Sequence, residues 1–256
     1  MRIRGIRVVP PSLTIGRLAA LLALVLFLAI AAQACARASA GHWSQARWDS
    51  AGIAPDPATT PEAVVQVYAA RVWGWRGALG VHTWIAVKPS GAPFWTTYDV
   101  TGWAVRRGRP AVRVRNGIPD GYWAGSEPEL LYDRRGEGVD DLIARIDAAA
   151  RSYPYADTYT MWPGPNSNTF VAYVAREAGL RLDLPPTAIG KDYLPNGSLA
   201  ALSPSGTGLQ VSLFGLLGVM VALEEGVELN VLGLTFGIDL WRPALKLPGV
   251  GRVGAK

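Results

Sequence analysis

The chain has only two histidines, His42 and His82, and a single cysteine, Cys35. Chemistry that needs an imidazole therefore has two candidates, while an internal disulfide or a thiolate metal cluster has none. His42 lies in a polar, proline-containing stretch and reads as an exposed residue. His82 opens the stretch 82–88 (HTWIAVK), which reads as a β-strand. Far downstream, Asn166, Ser167 and Asn168 stand where an aromatic, proline- and glycine-rich loop gives way to a helical pattern. A hydroxyl at a helix N-terminus has the helix dipole and free backbone N–H groups beside it, and these can hold an oxyanion. Ser167 is then the candidate nucleophile and His82 its base. Asp99, on the neighbouring strand, is the carboxylate best placed to orient the imidazole. The structural alternatives are a half-buried strand histidine, an N-cap serine, and an aspartate paired with Arg106, Arg107 or Arg109.

The surroundings suggest a groove. Tryptophans 73, 75, 84, 95, 103, 123 and 162 give a density of rings that suits a core or a sugar or lipid groove. Trp84, Tyr159 and Trp162, with Asn166 and Asn168, are the ligand-binding candidates. Arginines cluster between Arg106 and Arg115, as a solvated hairpin or as a patch for an anionic lipid head group or wall polymer. No Walker loop, dinucleotide fingerprint or clustered metal ligands are present, so no cofactor and no metal is expected.

The elements that must position these residues follow from periodicity. Residues 64–72, 82–88, 94–103 and 112–115 read as strands. Two helices follow, over 139–152 and 168–178. Asp140 and Asp141 occupy the first turn of one, and Asn166 or Ser167 is available to cap the other. From 209 to 223 the odd positions are almost all apolar. Beyond a Glu-Glu-Gly turn the alternation resumes, then slips phase after Val231. That pattern predicts a long apolar hairpin with a bulge near Val231, the rival being a helix over 213–223.

Charge separates the first forty residues from the rest. The sequence holds 25 basic and 20 acidic side chains. Arg2, Arg4, Arg7, Arg17 and Arg37 fall in the leader with no acid, leaving 25 − 5 = 20 bases against 20 acids beyond it. The remainder is neutral, so nucleic acid is not an expected partner. Basic flank, apolar run (18–32) and small residues make an export signal or membrane anchor. Three forms are open: an uncleaved anchor, cleavage after Ala40, and lipidation of Cys35.

Residues 64–193, and above all WPGPNSNTF at 162–170, resemble a bacterial domain-of-unknown-function family, number 3750, whose members look membrane-associated. More remotely, a His-bearing strand, a polar strand and an Asn-led helix start resemble the circularly permuted papain-like group. That group includes NlpC-type cell-wall peptidases and lecithin:retinol acyltransferase-like enzymes. The resemblance implies that His82 matches the base and Ser167 the nucleophile position, with the orienting group near Asp99. Residues 159–166 match the aromatic approach to the nucleophile. The group uses cysteine where this chain has serine, and a hydroxyl needs fuller base assistance than a thiol. Ser167 is open as a serine nucleophile, as the successor of a lost cysteine, or as a cap.

The expected fold is α+β: a small antiparallel sheet packed by helices, permuted papain-like, followed by an apolar C-terminal β-hairpin. The expected divisions are a signal or anchor at 1–40, a linker at 41–60, the papain-like domain at 61–200 and the hairpin module at 201–256. The expected function is a membrane-anchored envelope protein whose degenerate groove binds lipid or peptidoglycan-type ligands. The alternative is a hydrolase or acyltransferase using Ser167 on an envelope amide or ester. A purely structural membrane-associated subunit is a third possibility. The expected location is the cytoplasmic membrane, with the domain facing the periplasm or cell exterior and membrane lipids as partners. Secreted and lipoprotein forms are alternatives.

Overall fold

The computed structural model describes residues 11–38 and 42–255. The leader forms one helix, α1 (Pro11–Ala38), apolar enough over 23 residues from Gly16 to cross a membrane. Leader arginines 2, 4 and 7 and the cleavage position after Ala40 lie outside the described residues.

Five strands form the first sheet: β1 (Val64–Arg71), β2 (Val81–Lys88), β3 (Thr96–Val100), β4 (Val112–Asn116) and β5 (Glu129–Arg135). All neighbours are antiparallel, in the order β4-β3-β2-β1-β5. The expected third strand, 94–103, is shorter. It ends at Val100, and a one-turn helix, α2 (Gly102–Val105), follows. β5 was not anticipated from the sequence, because Leu130, Leu131 and Tyr132 give it no clean alternation.

Both predicted helices are present, as α3 (Val139–Arg151) and α4 (Ser167–Ala178). They pack on one face of the sheet. Val65, Val67, Ile85 and Val87 from the strands meet Leu142, Ile146, Phe170 and Val174 in the main core. The other face carries a smaller aromatic core around Tyr68, Trp84 and Trp95. The expected linker covers this second face. Asp120 accepts hydrogen bonds from the Ser50 hydroxyl (2.7 Å) and from the Ile53 and Ala54 amides (2.6 and 3.0 Å). The stretch after α1 is thus a strap pinned to the domain, because a buried carboxylate replaces the water its backbone would otherwise bind.

The C-terminal region corrects the expected hairpin. It is a seven-stranded antiparallel meander: β6 (Ala200–Leu202), β7 (Gly208–Leu213), β8 (Leu217–Ala222), β9 (Gly226–Val231), β10 (Leu234–Asp239), β11 (Ala244–Leu247) and β12 (Gly251–Gly254). The phase slip after Val231 is a two-residue turn, not a bulge. Val231 pairs with Leu234 across Leu232 and Gly233, both at positive φ (54° and 80°).

Register aligns the apolar side chains in rows across the outer face. One row runs Leu213, Leu217, Val231, Leu234, and a second runs Val211, Val219, Leu229, Phe236. The third spans the sheet from Leu202 through Leu209, Val221, Val227 and Ile238 to Leu245 and Val253. The inner face is polar. Glu228 accepts from Lys246 Nζ (2.7 Å) and from Lys191 Nζ. Lys246 also donates to Asp183 (2.6 Å), and Asp192 accepts from Gln210 and Asn230 at 2.8 and 2.7 Å. Burial alone would push the Glu228 carboxyl up, but Lys191 and Lys246 together outweigh it and hold it below its ordinary value.

Candidate functional site

Two adjoining cavities, about 920 and 580 Å³, open beside the first sheet, the larger on its aromatic side and the smaller reaching the start of α4. They share Trp73, Arg76, Trp103, Arg106 and Trp123 as a common wall. Both volumes lie in the range of small-ligand sites.

The smaller cavity is lined by both His82 and Ser167, with Asn166, Asn168, Tyr159 and Trp162. α4 begins there because Asn166 caps it. The Asn166 side-chain oxygen accepts from the Asn168 and Thr169 amides at 2.9 and 3.2 Å, and the Thr169 hydroxyl accepts in turn from the cap amide. The cap nitrogen Nδ2 donates to the Met161 and Ile189 carbonyls, tying the aromatic loop to the next segment. Gly190 lies against it at φ +97°, and a Cβ there would stand 2.3 Å from Asn166 Nδ2.

Asn168 fixes α4 to β2. Its Nδ2 donates to the Val81 and Ile189 carbonyls, and its oxygen accepts from the Thr83 hydroxyl at 3.0 Å. Thr83 therefore faces α4. Side chains alternate along a strand, so His82 projects from the opposite face. There its ring stacks on Trp123, centroids 3.5 Å apart and 12° from parallel, with Trp84 at 5.8 Å. Trp103 continues the column beyond Trp123 at 5.1 Å. Burial pushes the His82 imidazole well below its ordinary range, and the nearby Arg113 charge adds to the shift. The ring is neutral at physiological pH. Its Nε2 is buried and has no hydrogen-bond partner among the described residues.

Asp99 lines the larger cavity, and its carboxylate belongs to arginine rather than histidine. Arg113 grips it with two bonds, at 2.9 and 2.5 Å, and Arg115 approaches to 3.8 Å. The physical reason is register: Asp99 pairs directly with Arg113 across β3 and β4. These are not the arginines the sequence nominated. Arg76, Arg106, Arg107, Arg113 and Arg115 all line this cavity, against that single acid. Trp84, another ligand-binding candidate, lines it too, and its indole N–H is held by the Pro119 carbonyl at 2.7 Å.

Trp48 and Arg76 are not among the candidates read from the sequence, and Trp123 is there only as one of the groove tryptophans. Trp48 and Trp123 lie outside the regular elements and Arg76 in a short 3-10 turn (Gly74–Ala78), where no periodicity marks a facing side. An isolated tryptophan or arginine in a glycine-rich loop is the one local signal they offer. His42 is exposed and hydrogen-bonds with Ser44 near the start of the strap. Among the described residues no cluster of three or more histidine, cysteine or acidic side chains is placed to hold a metal ion.

These features define a mixed α+β protein with a cationic, tryptophan-lined cleft and an apolar N-terminal helix. Residues 62–193 match the family described as Protein of unknown function (DUF3750), and the chain belongs to that family. Neither the curated proteins nor the solved structures contain a match to it.

Proposed function

We propose that this chain is a membrane-anchored envelope protein whose cleft binds an amphipathic anionic ligand, a lipid or a peptidoglycan-type fragment. The observation that carries the reading is the composition of the larger cavity. Five arginines and one aspartate surround a column of tryptophan rings, which offers charge for a phosphate or carboxylate and flat apolar surface for a chain or sugar. α1 supplies the membrane attachment in this reading, and its basic flank places the domain outside. The domain would be a papain-like scaffold whose groove has lost its catalytic wiring.

His82 supports binding over catalysis. A neutral ring stacked on Trp123, on the sheet face away from Thr83 and α4, is a weak base for a serine hydroxyl. The one observation that favours a hydrolase or acyltransferase is that Ser167, at the start of α4, lines the same cavity as His82. Two measurements separate the readings. Calorimetric titration of the detergent-solubilised chain with dihexanoyl-phosphatidylglycerol should show saturable binding that falls at least fivefold in Arg106→Ala/Arg107→Ala. Dihexanoyl-phosphatidylcholine should bind more weakly. A fluorophosphonate probe should leave Ser167 unlabelled. Labelling of wild type but not of Ser167→Ala, with no phosphatidylglycerol binding, would replace the binding protein by the enzyme.

A further inference from the structure

The C-terminal sheet is built inside out. In a water-soluble sheet the apolar alternation faces the core and the polar one faces solvent. Here Gln210, Ser212, Glu228, Asn230, Thr235 and Lys246 point inward and are buried, while the three apolar rows point outward. Leu209, Val211, Val219 and Val221 at the centre are 48–67% exposed. The inner polar groups are hydrogen-bonded to one another and to Asp183, Lys191 and Asp192, so the sheet has one stable orientation. The rows leave on the order of 1,000 Å² of contiguous apolar surface, beyond the few hundred typical of a soluble monomer.

We propose that this outer face is a membrane-docking surface that rests on the acyl-chain region of a lipid bilayer. Three features favour lipid over a second copy of the chain. The turn tips are apolar as well as the rows: Phe214, Leu223, Leu232, Leu240 and Trp241 are 52–82% exposed, and face-to-face stacking of two sheets would leave tips bare. A tryptophan at such a tip suits the boundary between head groups and acyl chains. Third, α1 leaves the domain beside this same sheet. A Cβ at Gly249, in the turn between β11 and β12, would meet Ile30 Cγ1 at 2.7 Å. The anchor helix and the apolar face are therefore neighbours.

The sheet lies on the bilayer and does not cross it. Its longest strands have six residues, about 20 Å, where a crossing strand needs about nine to eleven. Its edge strands β6 and β12 also keep unpaired backbone groups that hydrocarbon would not tolerate.

The inference rests on the membrane attachment proposed above, and the test separates the two. A nitrobenzoxadiazole probe is attached to full-length chains in a Cys35→Ser background, through Val219→Cys or Val211→Cys on the face, or Glu137→Cys at an exposed position just ahead of α3. The chains are reconstituted in 7:3 phosphatidylethanolamine:phosphatidylglycerol vesicles. Acyl-chain nitroxide lipids should quench the two face probes at least threefold more than the Glu137 probe, and iodide should quench them less. Face probes as open to iodide as the Glu137 probe would overturn the proposal. So would face probes shielded from iodide yet blind to nitroxide lipid, which would mean a second copy covers the face. A carbonate wash reports α1 separately. Release of the protein with lipid quenching intact would refute the anchor and leave the docking face standing. Retention with water-exposed probes would do the reverse.

Discussion

His82 makes the sharpest test of how the site is built, because its environment fixes the sign of a pH effect. The ring is buried, stacked on Trp123, and its Nε2 has no hydrogen-bond partner among the described residues. Protonation inside the fold would place a cation in a buried site close to the Arg113 charge, so its folded-state pKa lies well below that of the unfolded chain. In the unfolded chain the same histidine titrates near 6.5. A depressed folded pKa means that the unfolded state binds more protons below 6.5. Stability is therefore complete above that pH and is lost as pH falls. Linkage to the unfolded value caps that loss at about 1.4 kcal/mol at pH 5.5 and about 2 kcal/mol at pH 5. The perturbation is His82→Phe, which keeps a flat ring on Trp123 and removes the titration. Urea unfolding of both proteins from pH 7.5 to 5 is the assay. Wild type should lose more than His82→Phe over that range, by up to about 2 kcal/mol. Parallel loss in the two proteins, within about 0.5 kcal/mol, would show that the folded ring accepts a proton freely and would refute the buried-neutral assignment.

Three further outcomes follow from named contacts. Glu228→Gln withdraws the carboxylate shared by the buried Lys191 and Lys246, and should cost about 3–5 kcal/mol in urea unfolding. A loss under about 1 kcal/mol would show that water reaches the cluster. Gly190→Ala drives a Cβ into the Asn166 cap from a backbone conformation that disfavours side chains. It should lower stability by about 3 kcal/mol, or about 6–12 °C in thermal unfolding. Asp99→Asn should release Arg113 and Arg115 and tighten calorimetric binding of dihexanoyl-phosphatidylglycerol about two- to tenfold. Unchanged or weaker binding would remove the arginine-lined cavity as the ligand site.

The sequence revealed most where periodicity and caps agree. α3 and α4 were legible because Leu142, Ile143 and Ile146, or Phe170, Val171 and Val174, mark one face and Asn166 marks a start. β1 and β2 were legible as apolar runs bounded by glycine and proline. The C-terminal sheet was misread for a reason of parity. The loops between β7 and β8 and between β8 and β9 have three residues, so Leu213 pairs with Leu217 and Ala222 with Gly226. Odd positions remain outward through both turns, and three strands look like a continuous alternation. The two-residue turn at Leu232 and Gly233 flips the parity and imitates a bulge. Length was the neglected signal, since a 15-residue strand is far beyond the common five or six. Within the site, the sequence grouped His82 with Ser167 but placed Asp99 beside the histidine. Which arginine a strand aspartate meets depends on cross-strand register, and register was invisible before the β3–β4 pairing was known.

Register also determines how the two halves of the molecule divide their labour. Residues beyond the leader carry 20 basic and 20 acidic side chains, so the domain as a whole has no net attraction for an anionic surface. Positive charge is nonetheless concentrated, because β4 sets Arg113 and Arg115 beside one cavity with only Asp99 to offset them. The C-terminal sheet does the opposite. It buries its charges in mutual pairs, Lys191 and Lys246 with Glu228 and Asp183, and leaves only apolar side chains outward. Burying those ions costs desolvation that a hydrophobic filling would avoid. That cost is consistent with a sheet whose apolar residues are committed elsewhere, on the outer face. A bilayer contact through that face would be apolar and insensitive to salt, whereas capture of an anionic ligand in the cleft would weaken as salt screens the arginines. The two proposed contacts are thus separable by ionic strength alone.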